Sequence, residues 1–141
     1  MSYLIDTDVV ASWLKGRQAE ITLLTSLARQ GLAISLITYG EIYDGIYYGR
    51  NPQNSERAFL QFLRGVDVLP LNRRIMKRFA HIRGHLRRTG NIIGDPDLLI
   101  AATALHHDLT VVTHNVKDFQ RVPDLKMYQP DRLSFNKAEG K

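Results

Sequence analysis

Short apolar runs alternate with longer helix-like segments along nearly all of this chain, and that alternation limits its fold more than any other feature. Tyr3–Ile5, Ala33–Ile37, Val66–Leu69 and Thr110–Val112 read as strands, with Leu125–Tyr128 a weaker fifth. Between them Thr7–Leu14, Gln18–Gln30, Tyr39–Gly49, Ser55–Leu63, Arg73–Arg88 and Pro96–His107 read as helices. The strands are apolar at successive positions, so both of their faces must be covered. Strand followed by helix, repeated, predicts an α/β fold with a parallel sheet between helices. The 141 residues fit one domain, taken as 1–130, and the polar segment 131–141 reads as a tail.

The helix Pro96–His107 is apolar or small nearly all round and is expected in the middle of the molecule. Ala101 and Ala104 allow close approach on the face that carries Asp97. Asp95 is expected to cap this helix, with Pro96 at its first position. Tyr39, Ile42, Tyr43 and Ile46 share one face of their helix; Glu41, Asp44 and Tyr48 share the other.

With no cysteine, the chain can have no disulfide framework, thiolate zinc site or cysteine nucleophile. No apolar run approaches the roughly 20 residues of a membrane helix. The start, MSYLIDTDVV, has no basic stretch before an apolar one, so no signal peptide is visible and the cytoplasm is the expected compartment. Lys and Arg number 19 against 14 acids, a net charge of +5. Between Val68 and Gly94 there is no acid, but there are Arg73, Arg74, Lys77, Arg78, Arg83, Arg87 and Arg88. Such a segment suits a polyanion partner or a solvated helix face. Arg73, Lys77 and Arg88 fall roughly on one side of the helical wheel, with Arg74, Arg78 and Arg83 turned elsewhere. The first three, with Tyr48 for stacking, are the candidate contacts to such a polyanion. His81 and His85, one turn apart, read as part of a phosphate-facing or dimer-facing surface.

The acids are placed more tellingly. Asp6 directly follows the first strand, where ligands bind in open parallel sheets, and Asp8 is two residues on. Glu41 is expected in the first turn of the helix after the second strand. Asp97 lies in the first turn of the central helix. Beyond the last strand come Thr113, His114, Asn115 and Asp118. Each acid could cap a helix or turn, but Asp6, Glu41, Asp97 and Asp118 should all share one edge of the sheet. Four carboxylates there repel one another, and a hard divalent cation removes the conflict. Oxygen-only donors favour magnesium or manganese over zinc.

At these residues the chain resembles the PIN-domain ribonucleases, specifically the VapC-type toxins of toxin–antitoxin pairs. The matching motifs are Leu4-Ile5-Asp6-Thr7-Asp8-Val9, Tyr39-Gly40-Glu41-Ile42, Asp97-Leu98-Leu99-Ile100-Ala101-Ala102-Thr103-Ala104 and Val112-Thr113-His114-Asn115-Val116-Lys117-Asp118-Phe119. The family usually has asparagine where this chain has Asp8. The resemblance implies a three-layer α/β/α fold and a Mg2+- or Mn2+-dependent endoribonuclease that cleaves RNA with metal-activated water. It also implies a homodimer and a small VapB-type antitoxin that blocks the site. Carried over by motif, the catalytic acids are Asp6, Glu41, Asp97 and Asp118. Asp6, Asp97 and Asp118 would hold the metal, and Thr7, Asp8, Thr113 and Asn115 are supporting polar groups.

Two rivals differ in class. Asp6-Thr7-Asp8-Val9-Val10 and Gly94-Asp95 suit a haloacid-dehalogenase-like phosphatase, which needs another acid four or five residues past Asp95. Those positions are Leu99 and Ile100. A non-catalytic nucleic-acid-binding module would use the basic segment and leave the acidic edge unexplained.

Overall fold

The computed structural model describes residues 1–129; the segment 131–141, read as a tail, lies outside the described residues. Strands β1 (Tyr3–Ile5), β2 (Leu32–Ser35), β3 (Val66–Leu69) and β4 (Thr110–Val112) form one sheet in the order β3-β2-β1-β4, and every pairing is parallel. Parallel neighbours need crossovers, which here are helical. In chain order the helices are α1 (Thr7–Leu14), α2 (Gln18–Leu27), α3 (Leu36–Tyr48), α4 (Pro52–Phe62), α5 (Arg73–Thr89), α6 (Asp95–His107) and α7 (Val116–Phe119).

Alternation along each strand divides the core in two. Leu4, Ala33 and Val111 face Ile82 and Leu86 of α5 and Leu98, Ala101 and Ala104 of α6. The next residues along, Ile5, Ile34 and Val112, face Val9 and Val10 of α1, Leu24 and Leu27 of α2, Ile42 and Ile46 of α3, and Phe59 and Phe62 of α4. The result is the three-layer α/β/α architecture expected from two-faced strands. Burying each such side chain contributes on the order of 1.5–3 kcal/mol, so both helical layers are needed to hold the sheet. As its composition predicts, α6 is central, with Leu98, Ile100, Ala101, Ala102 and Ala104 inaccessible to solvent. Among the described residues no helix is long and apolar enough to cross a membrane.

Three local readings are corrected. The second strand ends at Ser35 rather than Ile37, because the Ser35 hydroxyl accepts the Ile37 N–H at 3.1 Å and starts α3 at Leu36. Glu41 consequently lies in the second turn of α3. Asp95 is not a cap: it is the first residue of α6, Gly94 holds the cap position, and the Asp95 carboxylate reaches back to Arg83 at 3.2 Å. The segment Leu125–Tyr128 makes only a parallel bridge, Val111 with Met127, beside β4. Gly31 has φ +94°, and a Cβ there would lie 2.7 Å from the Met1 Cα, so the turn into β2 requires glycine.

The basic helix α5 is capped by Asn72, whose side-chain oxygen accepts the Ile75 N–H at 2.8 Å. Asn72→Ala is expected to cost about 1 kcal/mol, read as a lower urea midpoint with an unchanged slope.

Candidate active site

The sheet order sets β1 beside β4, and the segments leaving their carboxyl ends bring most of the polar side chains together. The Asp6 N–H continues the ladder by donating to Val112 O at 2.9 Å, which fixes the backbone under the carboxylate. One oxygen, Oδ1, accepts the Thr7 N–H at 2.8 Å and so caps α1. The other, Oδ2, accepts the Thr113 hydroxyl at 2.6 Å. Cap and candidate ligand, set against each other in the sequence reading, are the same residue.

Asp6 is only 3% exposed. Burial pushes its carboxyl up to about 7; the Thr113 hydroxyl pulls it back, Asp8 pushes it up, the Thr7 amide pulls it back and Asp97 pushes it up. The Asp97 carboxyl is also raised, first by burial and then by the charge of Glu41. The Asn115 amide pulls it down, while Asp118 and Asp8 push it further up.

A chain of hydrogen bonds links these acids. Thr113 Oγ1, which donates to Asp6, accepts the Asn115 N–H at 2.9 Å. The Asn115 side-chain amide spends its two hydrogens on two acids, Asp97 at 3.3 Å and Asp118 at 3.0 Å. On the other side the Thr7 hydroxyl donates to Glu41 Oε1 at 2.7 Å, with Thr38 Oγ1 2.9 Å from the same hydroxyl. Asp8 accepts the His114 N–H at 3.3 Å.

The structure therefore brings together Asp6, Thr7, Asp8, Glu41, Asp97, Thr113, Asn115 and Asp118. The candidate RNA contacts lie apart. Tyr48 is 93% exposed, seven residues beyond Glu41 on α3. Arg73, Lys77 and Arg88 are exposed on α5, and the Arg88 guanidinium lies back over Gly84. Asp44 lines an open surface with Glu41 and Thr7.

Sequence reasoning missed four groups. Thr38 steadies Thr7; Glu20 accepts from His114 Nε2 at 2.9 Å; His114 itself ties α2 to the site; and Arg121 stands 3.7 Å from Asp118 while donating to Ile92 O. Thr38 had a signal, since it follows a strand end. Glu20 had none, because it sits in the helix after α1 and meets the site only through the fold.

Among the described residues no three acidic or histidine side chains already converge on one ion-binding point. Their chemistry nonetheless fits a hard cation. The donors are oxygens, Asp6 is buried among like charges, and no Lys or Arg among the described residues pairs with Asp6, Glu41 or Asp97. The phosphatase reading fails here: position 99 is a leucine and Ile100 is wholly buried in the core.

The family model of the PIN domain matches residues 3–125. Ribonuclease VapC1 of Haemophilus influenzae strain R2866 is 35% identical over 128 residues, covering 89% of this chain and 96% of the relative. The tRNA(fMet)-specific endonuclease VapC of Shigella flexneri is 26% identical over 126 residues, covering 89% and 96%. Among solved structures, VapBC2 from Rickettsia felis bound to a promoter DNA fragment aligns with a TM-score of 0.86 at 28% identity, over 93% of this chain and 100% of that one. VapBC-1 from nontypeable Haemophilus influenzae aligns at 0.81 and 32%, over 92% and 98%. Motif order, sheet topology and the acidic edge agree with these likenesses, and the chain belongs to the PIN-domain family, among the VapC ribonucleases.

Proposed function

We propose that this chain is the toxin of a toxin–antitoxin pair, an endoribonuclease that cuts RNA with the help of Mg2+ or Mn2+ and is held inactive by a small VapB-type antitoxin. The observation that carries the metal-dependent reading is Asp6: a buried carboxylate at the end of a central strand, among other acids, with no cationic side chain paired to it among the described residues. The VapC relatives and the VapBC assemblies support the nuclease and the partner. The same reading places the protein in the cytoplasm as a homodimer. An apolar groove of about 310 Å3, lined by Ala11, Leu14, Ile42, Ile46 and Ala58 and reaching Thr7 and Glu41, supports a seat for a partner segment beside the acids.

Asp6, Asp97 and Asp118 are the side chains that would hold the ion, which when bound lowers the pKa of water and offsets charge on the phosphate. Asp6 is set in place from two sides, by the Thr7 N–H and the Thr113 hydroxyl. Asn115 orients Asp97 and Asp118 through one amide. Glu41 is exposed, its Oε1 taken by Thr7, and Oε2 is left to take the proton of the attacking water. With water rather than the ribose 2′-hydroxyl as nucleophile, the products carry 5′-phosphate and 3′-hydroxyl ends.

The test is cleavage of RNA by chelator-treated protein with and without added Mg2+ or Mn2+, with the ends mapped. Cleavage only with metal, leaving 5′-phosphates, is expected; metal-independent cleavage leaving cyclic phosphates overturns the reading. Thr113→Val keeps the side chain's shape but removes the hydroxyl that orients Asp6. It should slow cleavage about tenfold to a hundredfold, as loss of a ligand's supporting hydrogen bond commonly does. Thr113→Ser should recover most of the rate, compared as initial rates at fixed metal. Equal rates for all three proteins would remove Thr113 from the mechanism.

A further inference from the structure

The basic helix has a feature that the acidic edge does not use. Arg74, Lys77, Arg78 and His81 of α5 line an open cleft of about 620 Å3 with His106 of α6. The helical wheel set Arg74 and Arg78 apart from Lys77. In the structure all three line the same cleft, because long side chains bend around the ridge of a helix to share a concavity. The walls hold fixed positions: α5 and α6 are joined through the core by Ile82, Leu86, Leu98, Ala101 and Ala104.

Internal ion pairing does not account for these cations. Among the described residues, the one carboxylate that pairs with α5 is Asp95, and it goes to Arg83, outside this cleft. Of the cleft's two arginines, Arg74 lies in the first turn of the helix, where the dipole disfavours positive charge. The charge is thus concentrated at some cost in stability. Among the described residues the cleft is lined by basic and histidine side chains alone, whose aliphatic stems form its floor, whereas the centre of a protein–protein interface is normally depleted of charge. Guanidinium forks suit phosphate oxygens.

We propose that this cleft is a second phosphate-binding site, which holds the backbone of the RNA substrate away from the bond being cut; the inference rests on the ribonuclease reading above. Asp97 and His106 are nine residues apart on α6, about 14 Å along its axis. That exceeds the screening length of about 8 Å at physiological salt, so the cleft acts on binding and leaves the chemistry to the acids. It favours substrates long enough to span both places.

The test compares wild type with the triple variant Arg74→Gln, Lys77→Gln, Arg78→Gln on two RNAs, one long and structured and one a short oligonucleotide around the same cut. For the long RNA, KM should rise about tenfold or more with kcat unchanged, and the log–log salt slope should flatten by about 2–3, as three lost phosphate contacts imply. The short RNA should be cut as by wild type. Unchanged KM and salt slope on the long RNA overturn the proposal. So does retained RNA affinity with an altered mass by light scattering, which would make this face a contact between copies of the chain. If wild type cuts neither RNA, the ribonuclease reading has failed on its own. Direct titration of the long RNA with both proteins then still judges the cleft: weaker binding by the variant supports it and equal binding overturns it.

Discussion

Asp6→Asn should abolish RNA cleavage and, in the same protein, stabilise the metal-free fold at neutral and alkaline pH. The loss of activity follows from removing one ligating charge where several kcal/mol of transition-state stabilisation are expected, a drop of at least about two to three powers of ten. The gain in stability follows from burial. Folding raises the Asp6 carboxyl from an ordinary value of 3.8 to about 7. Below pH 4 it is protonated in both folded and unfolded chains and costs nothing. As pH climbs from 4 to 7 the unfolded chain releases the proton first, so wild-type stability falls through that window and is lowest above it. Asparagine has no such proton to lose; the shift corresponds to at most about 4 kcal/mol, of which a net gain on the order of 1 kcal/mol at pH 8, a few degrees in Tm, is expected. Part of the relief is offset, because asparagine cannot accept from both Thr7 and Thr113 as the carboxylate does. Thermal midpoints at pH 5 and pH 8, with and without Mg2+, check this. Added metal should raise the midpoint of wild type and not that of Asp6→Asn. A variant that cleaves like wild type would show that Asp6 is a cap and no more, and one that gains nothing at pH 8 would show that burial does not raise its carboxyl.

Much of this was legible in the sequence because the signals are local. Tyr3–Ile5 and Thr110–Val112 are apolar on both faces, and that property alone places β1 and β4 inside a covered parallel sheet, with Asp6 and Thr113 just past their ends. The apolar girth of α6 likewise announced its central place and therefore the burial of the face around Asp97. Boundaries were less legible where two residues compete for one role. Ile37 continues the apolar run of β2, yet the Ser35 hydroxyl ends that strand and shifts Glu41 by a turn. Asp95 has the right chemistry for a cap, but Arg83 lies twelve residues earlier and claims it across a helix–helix contact. The His114–Glu20 tie and the shared wall of the basic cleft depend on how separate helices meet, and no periodicity within either helix encodes that.

Asp97→Asn should be severe and Asp95→Asn mild, although the two acids are two residues apart at the same helix end. On an α-helix two residues correspond to about 200°, so the side chains face opposite ways. Asp97 faces the carboxyl ends of the strands, where Asn115 donates to it and the charges of Glu41 and Asp118 press on it. Asparagine there keeps the volume and can still accept from Asn115, but it carries no charge for a cation. Cleavage should drop at least about a hundredfold, with the fold retained. Asp95 faces α5. It is half exposed, caps nothing, and its ion pair with Arg83 at 3.2 Å is of the surface kind that contributes about 0–1 kcal/mol. Its substitution should leave cleavage within about twofold, since no group it touches reaches the acidic edge. Both variants are to be assayed at one metal concentration, beside a urea midpoint that separates lost catalysis from lost folding. The opposite ranking would move the functional edge of α6 around to the α5 side, and the assignment of Asp6, Glu41 and Asp118 would have to move with it.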